Sequence, residues 1–176
     1  MRNMGTIGRN FLAWHRQYLR LFEQRLQQVD SSVSVPYWDW ISQPSLPTAL
    51  STPTRLSAWG VTRQWNATLL PIAGDIAAVN ARTVFSAFQS VVEAVHSAVH
   101  NAVGGTMSTA SSPADPIFWL HHANVDRLWA SWQAGPNGAA PSNVTERMRP
   151  GSGFVVRINV RVQDVLDIAA LGYSYA

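Results

Sequence analysis

The spacing of apolar residues predicts three long helices in this 176-residue chain. Over residues 11–29, apolar side chains recur at helical spacing, and neither Pro nor Gly interrupts them. A second helix is predicted over 84–103, where valines form one apolar face and Gly104-Gly105 stops the helix. The third begins at Asp115-Pro116, with Asp as the N-cap and Pro at the first helical position, and runs to about Trp132.

Shorter elements and loops connect these helices. The pattern predicts loops over residues 1–10, 41–75, 106–114 and 134–153, with at most one helical turn in the second of them. Residues 75–81 and 162–171 are predicted as short helices, and the alternation over 158–162 is typical of a short strand. No internal repeat or domain boundary is visible. The sequence therefore predicts a single mainly α domain over 1–176, a helical bundle with long irregular loops and little strand.

Composition narrows the chemistry. The chain has no cysteine, which excludes disulfides and thiolate ligands, so a transition metal would rest on imidazole or carboxylate groups. The net charge is +3, and the basic residues are scattered along the chain. Because neither a polybasic run nor an apolar run of membrane-spanning length occurs, no nucleic-acid or membrane partner is expected. The compartment stays open: no signal peptide is visible, so we expect a cytoplasmic protein or one exported with a partner. Several tryptophans are interpreted as core, namely Trp38, Trp40, Trp119, Trp129 and Trp132.

All five histidines fall in three places along the chain, and this concentration points to a metal. His96 and His100 lie four residues apart on a predicted helix, which puts both side chains on one face with Cβ atoms about 5–6 Å apart. If the third helix returns antiparallel, His122 would complete a three-imidazole site with an open position, as reactive metal sites have. His121 points about 100° away from His122, so only one of the two is expected to bind the same ion. Spacing alone leaves open that His96 and His100 are a chance pair on a surface helix.

Three residues near these histidines have two interpretations each. His15 lies between aromatic residues on the first predicted helix and is either a core histidine with satisfied hydrogen bonds or a ligand. Asp126, four residues after His122, either orients an imidazole or an arginine, or forms a surface ion pair with Arg127. Glu23, two turns after His15, either orients a ligand or bonds to an arginine of its own helix.

Several segments, in the same order along the chain, resemble the motifs of one protein family. Asp115-Pro-Ile-Phe118-x3-His122-x3-Asp126 is similar to the second copper-binding signature of tyrosinases, catechol oxidases and molluscan-type hemocyanins. Phe11-Leu-Ala-Trp-His15-Arg16 resembles the latter part of the first copper signature, and Pro36-Tyr-Trp-Asp-Trp40 resembles the motif that follows it. His96-x3-His100 resembles the pair that opens the second copper site, and residues 164–175 resemble the segment that closes the core domain.

This resemblance implies a tyrosinase-like helical bundle around a type-3 copper centre, in which two coppers, each held by three histidines, bind O2. In the family pattern His96, His100 and His122 match the ligands of the second copper. His15 matches the last ligand of the first copper, and His121 matches a histidine that is not a ligand.

The first copper site departs from the family pattern. Its second ligand falls on Thr6, which is a poor copper ligand, its first ligand would lie upstream of Met1, and no other histidine is available. Three functions follow: a copper-dependent oxidoreductase that converts phenols or o-diphenols into o-quinones with O2, a degenerate or truncated relative that binds a single metal without oxidase activity, and a hemocyanin-like O2-binding module. The first implies a small phenolic substrate, O2 and a copper-loading chaperone as partners.

Glu93 and Asn101 are the candidate catalytic residues. In oxidases of this family a carboxylate near the second copper holds a water that helps to deprotonate a phenol, and Glu93 lies one turn before His96. The alternative for Glu93 is a solvated charge on the helix. Asn101 either accepts a hydrogen bond from the substrate or caps its helix, and Met107 is interpreted as a packing residue.

Overall fold

Five α-helices form the framework of the part of the chain that the computed structural model describes, residues 8–149 and 158–175. In chain order they are α1 (Phe11–Gln27), α2 (Pro53–Trp59), α3 (Ala73–Asn80), α4 (Phe85–Val103) and α5 (Ile117–Ala134). The predicted mainly α fold is confirmed, and the three long helices begin and end close to their predicted limits. Among these helices none is both long and apolar enough to cross a bilayer.

The predicted strand over 158–162 is wrong. Within the described residues this segment contributes a single antiparallel bridge, between Arg161 and Arg147, and no ladder. Ile158 and Val162 are both 1% exposed. Backbone hydrogen bonds join the Met148 N–H to the Val160 carbonyl (2.8 Å) and the Val162 N–H to the Glu146 carbonyl (3.0 Å), so the pairing stops after one bridge. The alternation in the sequence therefore reflects side chains that pack into the core.

The predicted helix over 162–171 is also wrong, because it is limited to the 3-10 turn Val162–Val165 with further turns after it. The Asp164 carboxylate accepts from the backbone N–H of Arg161 (2.8 Å), and Asp167 accepts from that of Ala169 (2.9 Å). The first bond caps the start of the 3-10 turn, and the second forms a local turn at Asp167 that competes with continuation of the helix.

The predicted loop over 41–75 contains more helix than one turn. It includes α2 and the 3-10 turns Thr48–Leu50 and Ala67–Leu69. Helix α2 begins with Pro53 and ends at Gly60, whose φ of 64° is left-handed. Pro at the start and Gly just after the end are the usual limits of a short helix, so the signal was present in the sequence.

Helices α1, α4 and α5 pack together, and the five tryptophans predicted as core are buried. Phe88 near the start of α4 stacks on Trp132 near the end of α5, with ring centroids 4.2 Å apart. At the other end, His100 of α4 faces Phe118 of α5 at 6.0 Å. The two helices are therefore antiparallel, as the sequence predicted.

The start of α5 is fixed by Asp115. The predicted N-cap is wrong by one residue, because the helix begins at Ile117 with Pro116 in the N-cap position. The Asp115 carboxylate nevertheless accepts a hydrogen bond from the backbone N–H of Ile117 (3.0 Å). The same carboxylate receives two hydrogen bonds from Arg63 (2.6 and 2.8 Å), and both side chains are buried. This bidentate ion pair anchors the N-terminus of α5, the helix that carries His121 and His122.

A buried ion pair joins α1 to α5. The Arg16 Nε atom lies 2.6 Å from Asp126 Oδ1, and the hydroxyls of Tyr173 and Tyr175 both donate to Asp126 Oδ2 at 2.7 Å. The carboxylate therefore holds an arginine of another helix and the C-terminal segment. Asp126 makes no surface ion pair with Arg127, which pairs with Asp39 instead. Its contacts match the interpretation in which the carboxylate orients an arginine, here Arg16.

Candidate metal centre

Four histidines of α4 and α5 form one buried cluster. One ring nitrogen of each of His96, His100, His121 and His122 lies within 4.8 Å of the others. None of the four side chains is more than 9% exposed. The spacing of four residues on α4 and the antiparallel return of α5 bring His96, His100 and His122 together, as the sequence predicted. The presence of a His121 ring nitrogen in the same group was not predicted.

Three Nε2 atoms converge on a common point. His122 Nε2 lies 3.3 Å from His96 Nε2 and 3.3 Å from His100 Nε2. Two imidazole nitrogens that bind one ion at about 2.0–2.1 Å with a near-tetrahedral angle lie about 3.3–3.4 Å apart. Both separations from His122 Nε2 therefore match those of imidazoles that share one transition-metal ion.

The protons of this cluster also favour a cation. Nδ1 of His100 lies 2.6 Å from the carbonyl oxygen of Met107, and because a carbonyl only accepts, this nitrogen carries the proton. Its Nε2 atom therefore directs a lone pair at His122 Nε2. A neutral His122 ring has one proton, which cannot satisfy both His96 Nε2 and His100 Nε2 at once. A metal ion between the three nitrogens removes this conflict, so the donor set fits a metal.

Burial lowers the pKa of every histidine in the chain. The pKa of His15 falls to about 4, chiefly because burial penalises the charged form. Burial also lowers the pKa of His100, and it lowers those of His96, His121 and His122 well below 6.5, with the neighbouring imidazoles adding to the effect in these three. The rings are therefore neutral at neutral pH, which is the protonation state that binds metals.

Helix α1 brings His15 against the same cluster. Its ring stacks on His122, with centroids 4.3 Å apart and planes 15° apart, and its Nδ1 donates to the Phe11 carbonyl at 2.8 Å. Phe11 lies 4.8 Å from His96, and Phe118 lies 4.1 Å from His122, between ring centroids. The histidines are thus enclosed by aromatic rings, and all five of the sequence gather in one region.

His121 occupies a different position from its neighbour. Its Nδ1 accepts a hydrogen bond from the indole N–H of Trp40 (3.2 Å), and both side chains are buried. The sequence predicts Trp40 as a core residue only and does not indicate this contact. The signal that pointed to it was the compact aromatic segment 36–40, which resembles a family motif.

The remaining candidates have the following surroundings. Glu93 on α4 is half-buried, and burial raises the pKa of its carboxyl group. Asn101 follows His100 on α4 and is exposed. The Met107 side chain is 1% exposed and belongs to the core, as predicted, but its carbonyl oxygen also fixes His100, which the sequence did not indicate. Thr6 lies outside the described residues.

Two charged residues, Glu23 and Arg127, bond to the segment 35–39 and not to the partners that the sequence suggests for them. Glu23 Oε2 accepts from the backbone N–H of Val35 (2.7 Å), so it neither orients a ligand nor bonds to an arginine of its own helix. Arg127 lies 3.2 Å from Asp39 and places its guanidinium over the Tyr37 ring. Both contacts tie the segment 35–39 to the helices, because each joins a helix side chain to that segment.

The chain is similar in sequence and in structure to known proteins. The family model described as the common central domain of tyrosinase matches residues 4–65 and 62–135. The tyrosinase of Streptomyces antibioticus is 32% identical over an alignment that covers 83% of this chain and 74% of that protein. The tyrosinase of Streptomyces glaucescens is 31% identical, covering 93% of this chain and 71% of that protein. A solved functional unit of octopus hemocyanin is similar with a TM-score of 0.70 at 26% identity, covering 95% of this chain and 52% of that one.

Proposed function

Since this chain belongs to the tyrosinase family of type-3 copper proteins, we propose that it is a copper-dependent oxidoreductase that converts o-diphenols into o-quinones with O2. The observation that carries the proposal is that His122 Nε2 lies 3.3 Å from both His96 Nε2 and His100 Nε2. These are also the residues that match the ligands of the family's second copper. Imidazole is a suitable ligand for copper, and the sequence offers no thiolate that would compete.

Each residue of the site has a proposed part. His96, His100 and His122 would hold one copper, and His15 is the residue that the family pattern assigns to the other. Copper, when bound, supplies the transfer of electrons from the phenol to O2. The protein keeps the imidazoles neutral, and the rings of Phe11 and Phe118 limit the access of bulk water to them.

The reaction also requires protons to leave the substrate. Two o-diphenol molecules each lose two electrons and two protons, and one O2 takes up all of them to give two waters. Glu93 is the proposed acceptor of the phenol proton, through a water, because burial raises its pKa toward the range that suits a general base. Asn101, exposed beside His100, is the proposed hydrogen-bond acceptor for the substrate hydroxyl.

One experiment tests the proposal by measuring copper and O2 on the same sample. The chain is loaded with copper, freed of unbound metal, analysed for copper per chain by mass spectrometry, and given catechol in an oxygen electrode. O2 uptake that depends on bound copper and accompanies quinone formation supports the oxidase. A folded chain that retains copper and consumes no O2 overturns the oxidase.

A site that binds a single metal without oxidase activity is the second candidate, and one observation favours it. The sequence has five histidines, four of which lie in the α4–α5 cluster, so His15 alone remains for the first copper. One copper per chain without O2 uptake supports this candidate. Two coppers per chain with catechol-dependent O2 uptake contradicts it.

A further inference from the structure

The hydrogen bond between Trp40 and His121 determines which nitrogen of His121 carries the proton. An indole N–H only donates, so His121 Nδ1, 3.2 Å away, is the acceptor and has no proton. The proton of this ring therefore lies on Nε2. In that tautomer the only free lone pair of the ring is directed at Trp40, and His121 has none to offer a metal.

The opposite tautomer occurs in two other histidines. Nδ1 of His100 and Nδ1 of His15 each face a backbone carbonyl oxygen, at 2.6 and 2.8 Å. Because a carbonyl only accepts, both Nδ1 atoms carry the proton and both Nε2 atoms keep a lone pair. Hydrogen bonds outside the cluster thus distinguish histidines that can bind a metal from one that cannot.

Without this constraint His121 would compete as a ligand. Its ring centroid lies 5.1 Å from those of His96, His100 and His122 alike, and it belongs to the group of four whose nitrogens lie within 4.8 Å. A fourth imidazole on one ion would fill the position that a reactive metal site keeps open, as in closed structural sites.

We infer that Trp40 is a positioning residue, which keeps His121 out of the ligand set by fixing the tautomer of its imidazole. The inference rests on the proposed metal site at His96, His100 and His122. The backbone N–H of Trp38 donates to the Leu120 carbonyl at 3.0 Å, which holds the tryptophan segment beside the first turns of α5. Both partners of the Trp40–His121 bond are at most 1% exposed, so water does not compete for it.

The tautomer is measurable in the metal-free protein without any substitution. Long-range 1H–15N NMR correlations identify the protonated nitrogen of each histidine ring. We expect His121 to be protonated at Nε2 and His100 at Nδ1. A His121 ring protonated at Nδ1 overturns the inference, and this result does not depend on whether a variant folds.

A second experiment removes the donor and counts the ligands. Trp40→Phe keeps an aromatic ring but lacks the N–H. In protein loaded with one equivalent of copper(II), pulsed EPR should count three imidazoles in the wild type and four in Trp40→Phe. The double variant Trp40→Phe/His121→Ala should return to three. Groups that bond to metal-site histidines shift metal affinity by about 10- to 100-fold. Copper(II) affinity should therefore rise by about tenfold or more in Trp40→Phe, which gains a fourth imidazole ligand. It should return to the wild-type value in Trp40→Phe/His121→Ala.

Trp38→Phe is the matched control. Trp38 is equally buried, but its indole donates to the Gln43 carbonyl (2.9 Å) and not to a histidine. This variant should keep three imidazoles and the wild-type affinity. If Trp40→Phe behaves like Trp38→Phe, the role assigned to Trp40 is wrong. A wild-type chain that binds no copper would instead overturn the proposed metal site itself.

Discussion

The Nε2 atoms of His96 and His122 lie 3.3 Å apart, although the two residues belong to different helices. His100 Nε2 lies at the same distance from His122 Nε2. His122 is therefore the residue through which the α5 helix joins the pair on α4. Its neighbour His121 directs Nδ1 at Trp40 instead. The two histidines are adjacent in sequence and make different contacts.

His122→Ala should abolish copper binding at this site, because two imidazoles on one helix turn bind far more weakly than three. His121→Ala should leave the copper content nearly unchanged, since its lone pair does not face the ion. Copper per chain, measured after removal of unbound metal, compares the two. Equal loss in both variants would refute the ligand assignment, and circular dichroism shows whether each variant is folded.

Asp126→Ala should destabilise the fold by about 3–5 kcal/mol, because Arg16 would be left as an unpaired charge in the interior. Urea unfolding measures the change. The control is the next residue: Arg127→Ala breaks an ion pair with Asp39 whose side chains are 23% and 27% exposed, and should cost about 1 kcal/mol or less. Similar losses in the two variants would contradict the importance given to burial.

The sequence predicted the helices that carry the histidines more accurately than the segments between them. Apolar spacing, Gly104-Gly105 and Asp115-Pro116 are local signals, and they fixed the ends of α4 and α5 closely. The strand predicted over 158–162 failed because alternating burial does not determine how far pairing extends, and the pairing with residues 146–148 stops after one bridge. Strand pairing depends on residues far along the chain, which a local pattern does not contain.

The same limit applies to the metal centre. The ligand candidates followed from helical spacing and from the family motifs. The groups that contact the candidate histidines are not visible in the sequence. His100 bonds to the backbone carbonyl of Met107, and Trp40 lies 81 residues from its histidine partner. Asp126 shows the same effect, since its partners Arg16, Tyr173 and Tyr175 come from both ends of the chain.

Gly105→Ala should weaken both the fold and the metal site. Gly105 has φ 56°, and a Cβ there would overlap with the Thr62 carbonyl. Gly60 has a similar φ of 64° with nothing within 4 Å of an added Cβ, so Gly60→Ala measures the backbone strain alone, about 1–2 kcal/mol. The overlap at Gly105 should add about 1–3 kcal/mol, measured by urea unfolding.

The consequence of Gly105→Ala for copper follows from the position of Met107 two residues later. A shift of this turn moves the carbonyl that fixes His100, so copper affinity should fall in Gly105→Ala and stay unchanged in Gly60→Ala. Isothermal titration with copper(II) compares them. Unchanged affinity in Gly105→Ala would show that the Met107 carbonyl does not position the ligand.

Glu93→Gln tests the proposed proton acceptor. It should lower kcat for catechol oxidation by about 100-fold or more, since a general base contributes about 10²–10⁴-fold and an amide cannot take the proton. Copper content should not change, because Glu93 is not among the clustered ligands. Stability should not fall at neutral pH either: burial raises the pKa of Glu93, so folding disfavours its charged form, and the neutral amide avoids that cost.

Glu23→Gln is the control, because Glu23 is also a partly buried carboxylate on a long helix but bonds to the Val35 backbone. Equal activity in the two variants would remove Glu93 from the mechanism and leave the substrate proton without an assigned acceptor.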